Sequence, residues 1–523
     1  MSRGFRHASV LGSALGRQLP AAPGAAPTRA PKPEQRIPHP RRPSAPETPA
    51  AAVAALTVAL CAVLLAASFW TGPRGDELYF RVAGQHLDWG YADQPPLVPA
   101  LARAMQTAFP GSLFALRAPA VVLTSAGVPL TALLARELRG GRKAQLAAAG
   151  AYALAPQTIA VGHLLSTTAV DAALWTVTTL LVVRWIRLRD DRLLLLLGVV
   201  TSVGIQGKYL VAGLWLALVP AVLWAGPREM FRRSQFWAAG ALVAAAAAPG
   251  VLWQARHGWP QWSLAEVVPV EVHQWSAGRW AFLPLTVLTA GVVVGAPLVC
   301  FGTWALLRSP RFRAYRCLGW ACLGVAGLFL AAGGRYYYCA GLFPLCFAAA
   351  TTEAEHRAGS RIRRWTFRWP VHLLSALFLC LAATPAPGLD RANVLAVGSS
   401  HWREFAASVA RTYHALPPQE RARTAVVADH YWQASALQWY GPQYGLPPAH
   451  SPHRGFWYFG APAQQSRSVL YVGRDIRRIA PGFGTATPLS GPSDNPSSRG
   501  TALWWCTDRR APWPQLWAQW HTS

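Results

Sequence analysis

Residues 51–70 read AAVAALTVALCAVLLAASFW and run directly into TGPRGDELYFRVAGQHLDWGYADQPPL at 71–97. The first stretch has about the 20 apolar residues that a helix needs to cross a bilayer. The second opens on two adjacent acids, Asp76 and Glu77, immediately behind that crossing. Ionisable groups are costly beside hydrocarbon and are kept there for a use, so this junction marks a membrane protein with chemistry at one face of the lipid.

The rest of the chain extends the pattern. Further apolar segments fall at about 113–135, 144–162, 169–186, 193–205, 209–225, 236–253, 281–307, 317–333, 337–350 and 371–386, which with the first gives about eleven transmembrane helices. Only 14% of the 523 residues are charged and 52% are hydrophobic, which excludes an ordinary soluble or disordered protein. The formal net charge of +27 does not point to nucleic acid, because the basic clusters are separated by membrane-length apolar runs. Counted with the N-terminus in the cytoplasm, one set of loops holds the clusters Arg136–Lys143, Arg184–Arg192, Arg228–Arg233, Arg308–Arg316 and Arg357–Arg368. The other set holds only scattered Arg74, Arg81, Arg103, Lys208, Arg256, Arg279 and Arg335, as the positive-inside rule expects.

Residues 1–50, rich in Pro, Ala and Arg, read as a disordered cytoplasmic tail, and 51–386 as the transmembrane catalytic domain. An odd number of spans then puts 387–523 outside, where TAVVADHYW and the turn signals GPQYG, LPP and GPSDNP suggest a small α/β domain. The fold class expected is an all-α polytopic membrane protein with a smaller extracytoplasmic C-terminal α/β region, in the plasma membrane. No repeat of 20 to 50 residues is visible. Of the eight cysteines, seven sit in apolar runs and read as small buried hydrophobes, while Cys506 lies in the polar tail; no disulfide or zinc spacing is present.

The unusual polar residues gather on the outer side. Asp76 and Glu77 serve either as a general base pair or as caps of the helix they begin, a stretch whose Leu78, Val82, His86 and Leu87 suit an interfacial helix. Asp93 precedes Pro95 and Pro96, as a turn residue or a ligand would. Asp171 stands near the start of an apolar helix in GHLLSTTAVDAALW. Lys208 and Arg335 interrupt apolar segments beside aromatics, where they would either neutralise a lipid phosphate or snorkel to head groups. His257, beside Trp259, is either a ligand or interfacial packing.

DELYFRVAGQHLDWGYADQPPL (76–97), GHLLSTTAVDAALW (162–175), GKYL (207–210), VLWQARHGWPQW (251–262) and GGRYYYCAGLFP (333–344), in this order, resemble the bacterial glycosyltransferase family 39 type of the GT-C superfamily. That family groups dolichyl-phosphate-mannose protein mannosyltransferases with aminoarabinose transferases. YWQASALQWYGPQYGLPPAHSPHRGFWYFG (431–460) resembles the outer C-terminal region of actinobacterial members. The resemblance implies a membrane enzyme of the cell envelope that takes a sugar from a polyprenyl-phosphate donor and transfers it, with inversion, to a glycan, lipid or protein acceptor outside. It implies Asp76 as base with Glu77 beside it, Asp171 as a second catalytic acid, and Lys208, Arg335 and Tyr337 as contacts to the carrier phosphate. It also implies Asp93, with His257 as a less secure partner, as ligands to a divalent metal ion. Arg335–Tyr336 stands where many members have Lys-Pro, Gln94 where relatives can carry a basic residue, and SPHRGF departs from an SGHN-like pattern.

The chemistry is coherent without a nucleotide sugar, since phosphate is the leaving group and cations can meet its charge. The alternative is a transporter or flippase for a lipid-linked sugar. Transporters place ionisable groups near the midplane and show internal repeats, whereas here the charges lie at one face.

Overall fold

The computed structural model of the protein describes residues 46–276, 278–383, 401–489 and 500–522. Most of the N-terminal tail, the domain boundary expected near 387 and the GPSDNP turn lie outside the described residues.

The bundle is built from α1 (Ala50–Trp70), α2 (Gly75–Ala83), α3 (Leu97–Ala108), α4 (Leu113–Glu137), α5 (Arg142–Ala153), α6 (Pro156–Gly162), α7 (Thr167–Leu188), α8 (Arg192–Gly207) and α9 (Leu210–Ala225). It continues through α10 (Ser234–Arg256), α11 (Pro260–Trp275), α12 (Phe282–Thr289), α13 (Gly295–Arg308), α14 (Arg316–Ala331), α15 (Phe343–His356), α16 (Arg361–Thr366) and α17 (Trp369–Ala383). Among the described residues, five helices are each long and apolar enough to cross a membrane: α1, α4, α7, α10, and α14 together with the turn before it, Pro310–Ala331. The protein is therefore a multi-pass membrane protein.

Three of the expected spans are broken, each for a local reason. Pro156 cannot continue α5 and starts α6 instead. Gly291, at φ +114°, separates α12 from α13. The segment at 337–350 enters as a 3₁₀ turn, Tyr336–Leu342, before α15 begins. Elsewhere the caps are conventional. The Ser112 hydroxyl accepts from Ala115 N at the start of α4, and the Ser166 hydroxyl accepts from Ala169 N at the start of α7.

The basic loops converge on one end of the bundle. Arg184 and Arg187 pair with Glu137, Arg189 with Glu229, Arg233 with Asp191, and Arg311 and Arg357 with Glu353. The helix core between the ends is dry, with Trp175, Trp185, Leu298 and Phe347 fully buried.

After the bundle come α18 (Trp402–His414), α19 (Pro418–Arg421), β1 (Thr424–Ala428), α20 (Tyr431–Tyr440), β2 (Ala449–His450), β3 (Ser468–Gly473), β4 (Phe483–Leu489), β5 (Ala502–Arg509) and α21 (Trp513–Trp520). The strand order is β2-β1-β3-β5-β4, with β1 parallel to β2 and β3, and β5 antiparallel to β3 and β4. TAVVA, expected to alternate, is buried at every residue because helices cover both faces of the sheet. α18 and α20 pack on one face, α21 on the other.

Leu78, Tyr79, Phe80, Leu116 and Val170 from the bundle share one apolar core with Phe405, Val426, Leu437, Phe456 and Leu470 from the sheet domain. This corrects the reading of α2 as an interfacial helix: Leu78 to Ala83 are all buried, beneath protein rather than lipid. The cysteine reading also changes, for Cys506 is buried within β5 whereas Cys300 and Cys380 are exposed on the bundle.

Candidate active site

Asp76 and Glu77 are adjacent in sequence but do different work. Glu77 is buried, and its two oxygens accept four hydrogen bonds. Arg117 donates from Nε and Nη2 at 2.8 and 2.7 Å, Arg74 from its backbone N at 2.9 Å, and Leu165 from its backbone N at 3.1 Å. The same Arg117 donates to the carbonyls of Ser68, Thr71 and Gly72. Glu77 thus caps α2 and ties together α1, α2, α4 and the start of α7, with no acceptor capacity left over.

Asp76 is held on one side only. Its Oδ1 accepts from the Tyr431 hydroxyl at 2.9 Å and from the Trp432 indole N–H at 2.7 Å, and among the described residues Oδ2 has no partner. Both donors stand at the first turn of α20, just beyond the carboxyl end of β1, where a parallel sheet presents its loops to ligands. The indole lies so close over Gly75 that any Cβ there would overlap its ring, which is why glycine opens α2.

Asp93 lies on the loop before α3, half-buried, and its Oδ1 accepts from the Tyr79 hydroxyl at 2.9 Å. Burial pushes its carboxyl up to about 6, against the pull of neighbouring Arg454 and the Tyr79 hydrogen bond. Arg454 comes from the sheet domain. It adopts φ +51°, a strained backbone for a side chain of this size, and its guanidinium lies 5.4 Å from the centre of the Tyr431 ring. The next residue, Gly455, has no room for a Cβ, which would strike the Tyr79 hydroxyl and crowd Asp93. His430 and His453 stack with Tyr431, with ring centroids 4.7 Å apart between the two imidazoles. Burial pulls His430 down to about 3 and holds His453 well below the usual histidine range, so both are neutral at pH 7.

The expected phosphate contacts also face inward. Lys208, just past α8, donates to the Thr168 hydroxyl at 3.1 Å, and its ammonium stands 5.7 and 4.9 Å from the ring centres of Tyr337 and Tyr338. Asp171 follows Thr168 by one turn on α7, with Oδ1 buried and unpartnered. Arg335 opens the 3₁₀ turn that carries Tyr337, and its Nη2 donates to Glu271 Oε2 at 2.6 Å. The other oxygen of Glu271 accepts from Arg454. Neither cation is snorkelling; Tyr337 and Tyr338 on one side and Glu271 on the other draw them into the cluster.

The two residues expected to ligate a metal each have other partners. His257 donates from Nδ1 to the Trp253 carbonyl at 2.8 Å and stacks on that indole at 4.0 Å, with Tyr458 across its edge. Asp93 faces a tyrosine hydroxyl and lies beside a guanidinium, which are donors and not co-ligands. Among the described residues no group of three or more His, Cys, Asp or Glu side chains could hold a metal ion. These residues do not fit a divalent cation.

Sequence reasoning missed Arg117, Glu271, Tyr431, Trp432 and Arg454. An arginine inside an apolar run was a usable signal for Arg117. The residues just after β1 were another, for Tyr431 and Trp432.

Residues 93–253 match the family model described as dolichyl-phosphate-mannose-protein mannosyltransferase. Among solved structures, ArnT from Cupriavidus metallidurans in the apo state aligns with a TM-score of 0.60 at 13% identity, over 87% of this chain and 98% of that one. The same protein bound to undecaprenyl phosphate aligns with a TM-score of 0.54 at 14% identity, over 86% and 97%. Among curated proteins, none matches this chain. At such identities the structural likeness establishes the fold alone, an ArnT-like helical membrane bundle with a small C-terminal sheet. The match over 93–253 makes that part of the chain similar to the mannosyltransferase family.

Proposed function

We propose that the protein is a membrane glycosyltransferase that moves a sugar from a polyprenyl-phosphate carrier to an acceptor hydroxyl on the outer face of the membrane. The observation that carries this reading is Asp76. One of its carboxylate oxygens is fixed by Tyr431 and Trp432 while the other has no partner among the described residues, and the cations Lys208, Arg335 and Arg454 belong to the same end of the bundle. The solved ArnT bound to undecaprenyl phosphate supports a carrier of this chemistry. Clustering of the basic loops at the opposite end supports the outward orientation.

In this reading Asp76 accepts the proton of the acceptor hydroxyl as its oxygen attacks the anomeric carbon. The bond from that carbon to the phosphate oxygen breaks, and its electron pair leaves with the phosphate. Lys208 and Arg335 meet the charge that develops, with Tyr337 as the aromatic wall beside them. A single displacement inverts the anomeric centre and needs one base. Asp171 is kept as a carboxylate that tunes Lys208 rather than as a second base, because it lies one turn from the threonine that Lys208 contacts.

The test is sugar transfer from a panel of radiolabelled polyprenyl-phosphate sugars to membrane acceptors in purified vesicles, comparing wild type with Asp76→Asn. Label entering an acceptor only with wild type establishes the class and names the sugar. Label that crosses the bilayer on its carrier equally in both proteins makes the protein a transporter instead.

A further inference from the structure

Glu271 stands between two arginines that come from different parts of the chain. Its Oε2 accepts from Arg335 Nη2 at 2.6 Å and its Oε1 accepts from Arg454 Nη2, so one carboxylate bridges the bundle and the sheet domain. Two guanidiniums facing one oxyanion is the geometry in which arginines take a phosphate.

The three partners are not held alike. Arg454 is clamped: its backbone N donates to Thr522 O at 2.7 Å, its φ is fixed at +51°, and Gly455 behind it is wedged against Tyr79. Arg335 is set by the 3₁₀ turn it opens. Glu271 rides on α11, where Trp262 and Val270 are exposed and, among the described residues after its opening proline, Val272 alone is buried. Both flanks of α11 carry left-handed backbone, Gly258 and Trp259 before it and Gly278 after it. A lightly packed helix between such joints is the element that opens at low cost. The cations are therefore fixed and the anion is on the movable arm.

The bond inventory is also incomplete. Arg454 Nε is buried and has no hydrogen-bond partner among the described residues. Glu271 gives one oxygen to each arginine, through Nη2 in both, and does not reach this N–H. A terminal phosphate offers three oxygens and so can satisfy both guanidiniums together with that remaining N–H.

We infer that Arg335 and Arg454 form a two-arginine seat for the carrier phosphate, and that Glu271 is its removable occupant, a carboxylate that fills the seat until the phosphate displaces it and α11 swings away. This rests on the carrier reading above and adds to it a phosphate contact from the sheet domain and a competitor built into the chain.

The experiment measures binding rather than transfer. Purified wild type, Glu271→Gln, Arg454→Ala and Arg454→Lys in nanodiscs are titrated with undecaprenyl phosphate and, separately, with inorganic phosphate, following tryptophan fluorescence. If the occupied seat is the main form of the free protein, Glu271→Gln binds undecaprenyl phosphate about tenfold more tightly. Arg454→Ala binds it at least about tenfold more weakly, and Arg454→Lys recovers part of the loss. Tightening of both ligands in Glu271→Gln assigns the seat to phosphate in general; tightening of the lipid alone assigns it to the carrier head group. Weaker or unchanged binding in Glu271→Gln overturns the displacement, because a merely structural glutamate would disorder the arginines when removed.

A second readout needs no variant. Arg256 and Arg279 flank α11, and undecaprenyl phosphate should speed tryptic cleavage there in the wild type; protection or no change overturns the swing. Wild type that binds no polyprenyl phosphate at all would instead refute the carrier reading itself, which keeps the two failures apart.

Discussion

The indole N–H of Trp432 donates to Oδ1 of Asp76 at 2.7 Å across 356 residues of sequence. The Tyr431 hydroxyl donates to the same oxygen, so the orientation of the carboxylate proposed as base is dictated from the sheet domain and not from its own helix.

Removing either donor should therefore damage turnover more than carrier binding. Tyr431→Phe keeps the ring and Trp432→Phe keeps an aromatic group of smaller size, and each deletes one hydrogen bond. Each is expected to lower kcat by about 10- to 100-fold, the order of effect that a small misplacement of a reacting group produces. The Kd for undecaprenyl phosphate should stay within about twofold, since phenylalanine at 431 keeps the ring that faces the Arg454 guanidinium. Equal losses in kcat and in binding would show that the pair shapes the carrier site instead.

Glu77 makes the opposite prediction. Glu77→Gln strips Arg117 of its counter-ion in a fully buried setting, and breaking such a pair typically costs about 3–5 kcal/mol. The variant should lose monodisperse folded protein in size-exclusion chromatography, and adding Arg117→Met should restore part of it. A Glu77→Gln protein that folds normally yet fails to transfer sugar would give Glu77 a direct part in the chemistry.

The turn at Gly455 is the tightest point of the contact between the two halves. Gly455→Ala pushes a methyl group into the Tyr79 hydroxyl and Asp93. A lowered Tm and lost undecaprenyl phosphate binding are expected together, because the turn cannot shift without moving Arg454. Retention of wild-type binding would mean that the turn adapts.

The pH dependence follows from Asp93. Its carboxyl titrates at about 6 in the folded protein against 3.8 for the free side chain, because burial disfavours the charged form. The folded state thus binds the proton more tightly than the unfolded one. The associated stability is fully present below about pH 3.8 and is lost as pH rises through about 6. Asp93→Asn, which stays neutral, should accordingly exceed wild type in Tm at pH 8 and match it near pH 4. A variant less stable than wild type at pH 8 would show that ionised Asp93 is a net asset to Arg454.

The donor set also predicts indifference to chelation. With Asp93 facing Tyr79 and Arg454, and His257 stacked on Trp253, EDTA should leave carrier binding unchanged and His257→Ala should lie within about twofold of wild type. Loss of binding on chelation, restored by a divalent metal, would reverse that conclusion.

Much of the architecture was legible because membrane spans announce themselves by length. The apolar segments all fold as helices, and the breaks at Pro156 and Gly291 have residues that explain them. Asp76 was legible as a charge in an expensive place. Its separation from Glu77 was not, because what distinguishes them is Arg117, forty positions away, against Tyr431 and Trp432 far beyond the bundle. Glu271 and Arg454 escaped for the same reason: they stand 183 positions apart, and each alone reads as an ordinary interfacial charge. His257 stayed ambiguous because a histidine beside tryptophan looks the same whether it ligates or stacks. The strand TAVVA was found but not its burial on both sides, since nothing local reveals that α21 covers the far side of the sheet.

The distance between Asp76 and its two donors has a meaning in time. During synthesis the carboxylate is laid down before most of the bundle, and Tyr431 and Trp432 follow only after helices α2 to α17 have been made. A half-inserted chain consequently holds the carboxylate unaimed and the carrier cations without Arg454. The carboxylate proposed as base is aimed only once β1 and α20 lie against α2.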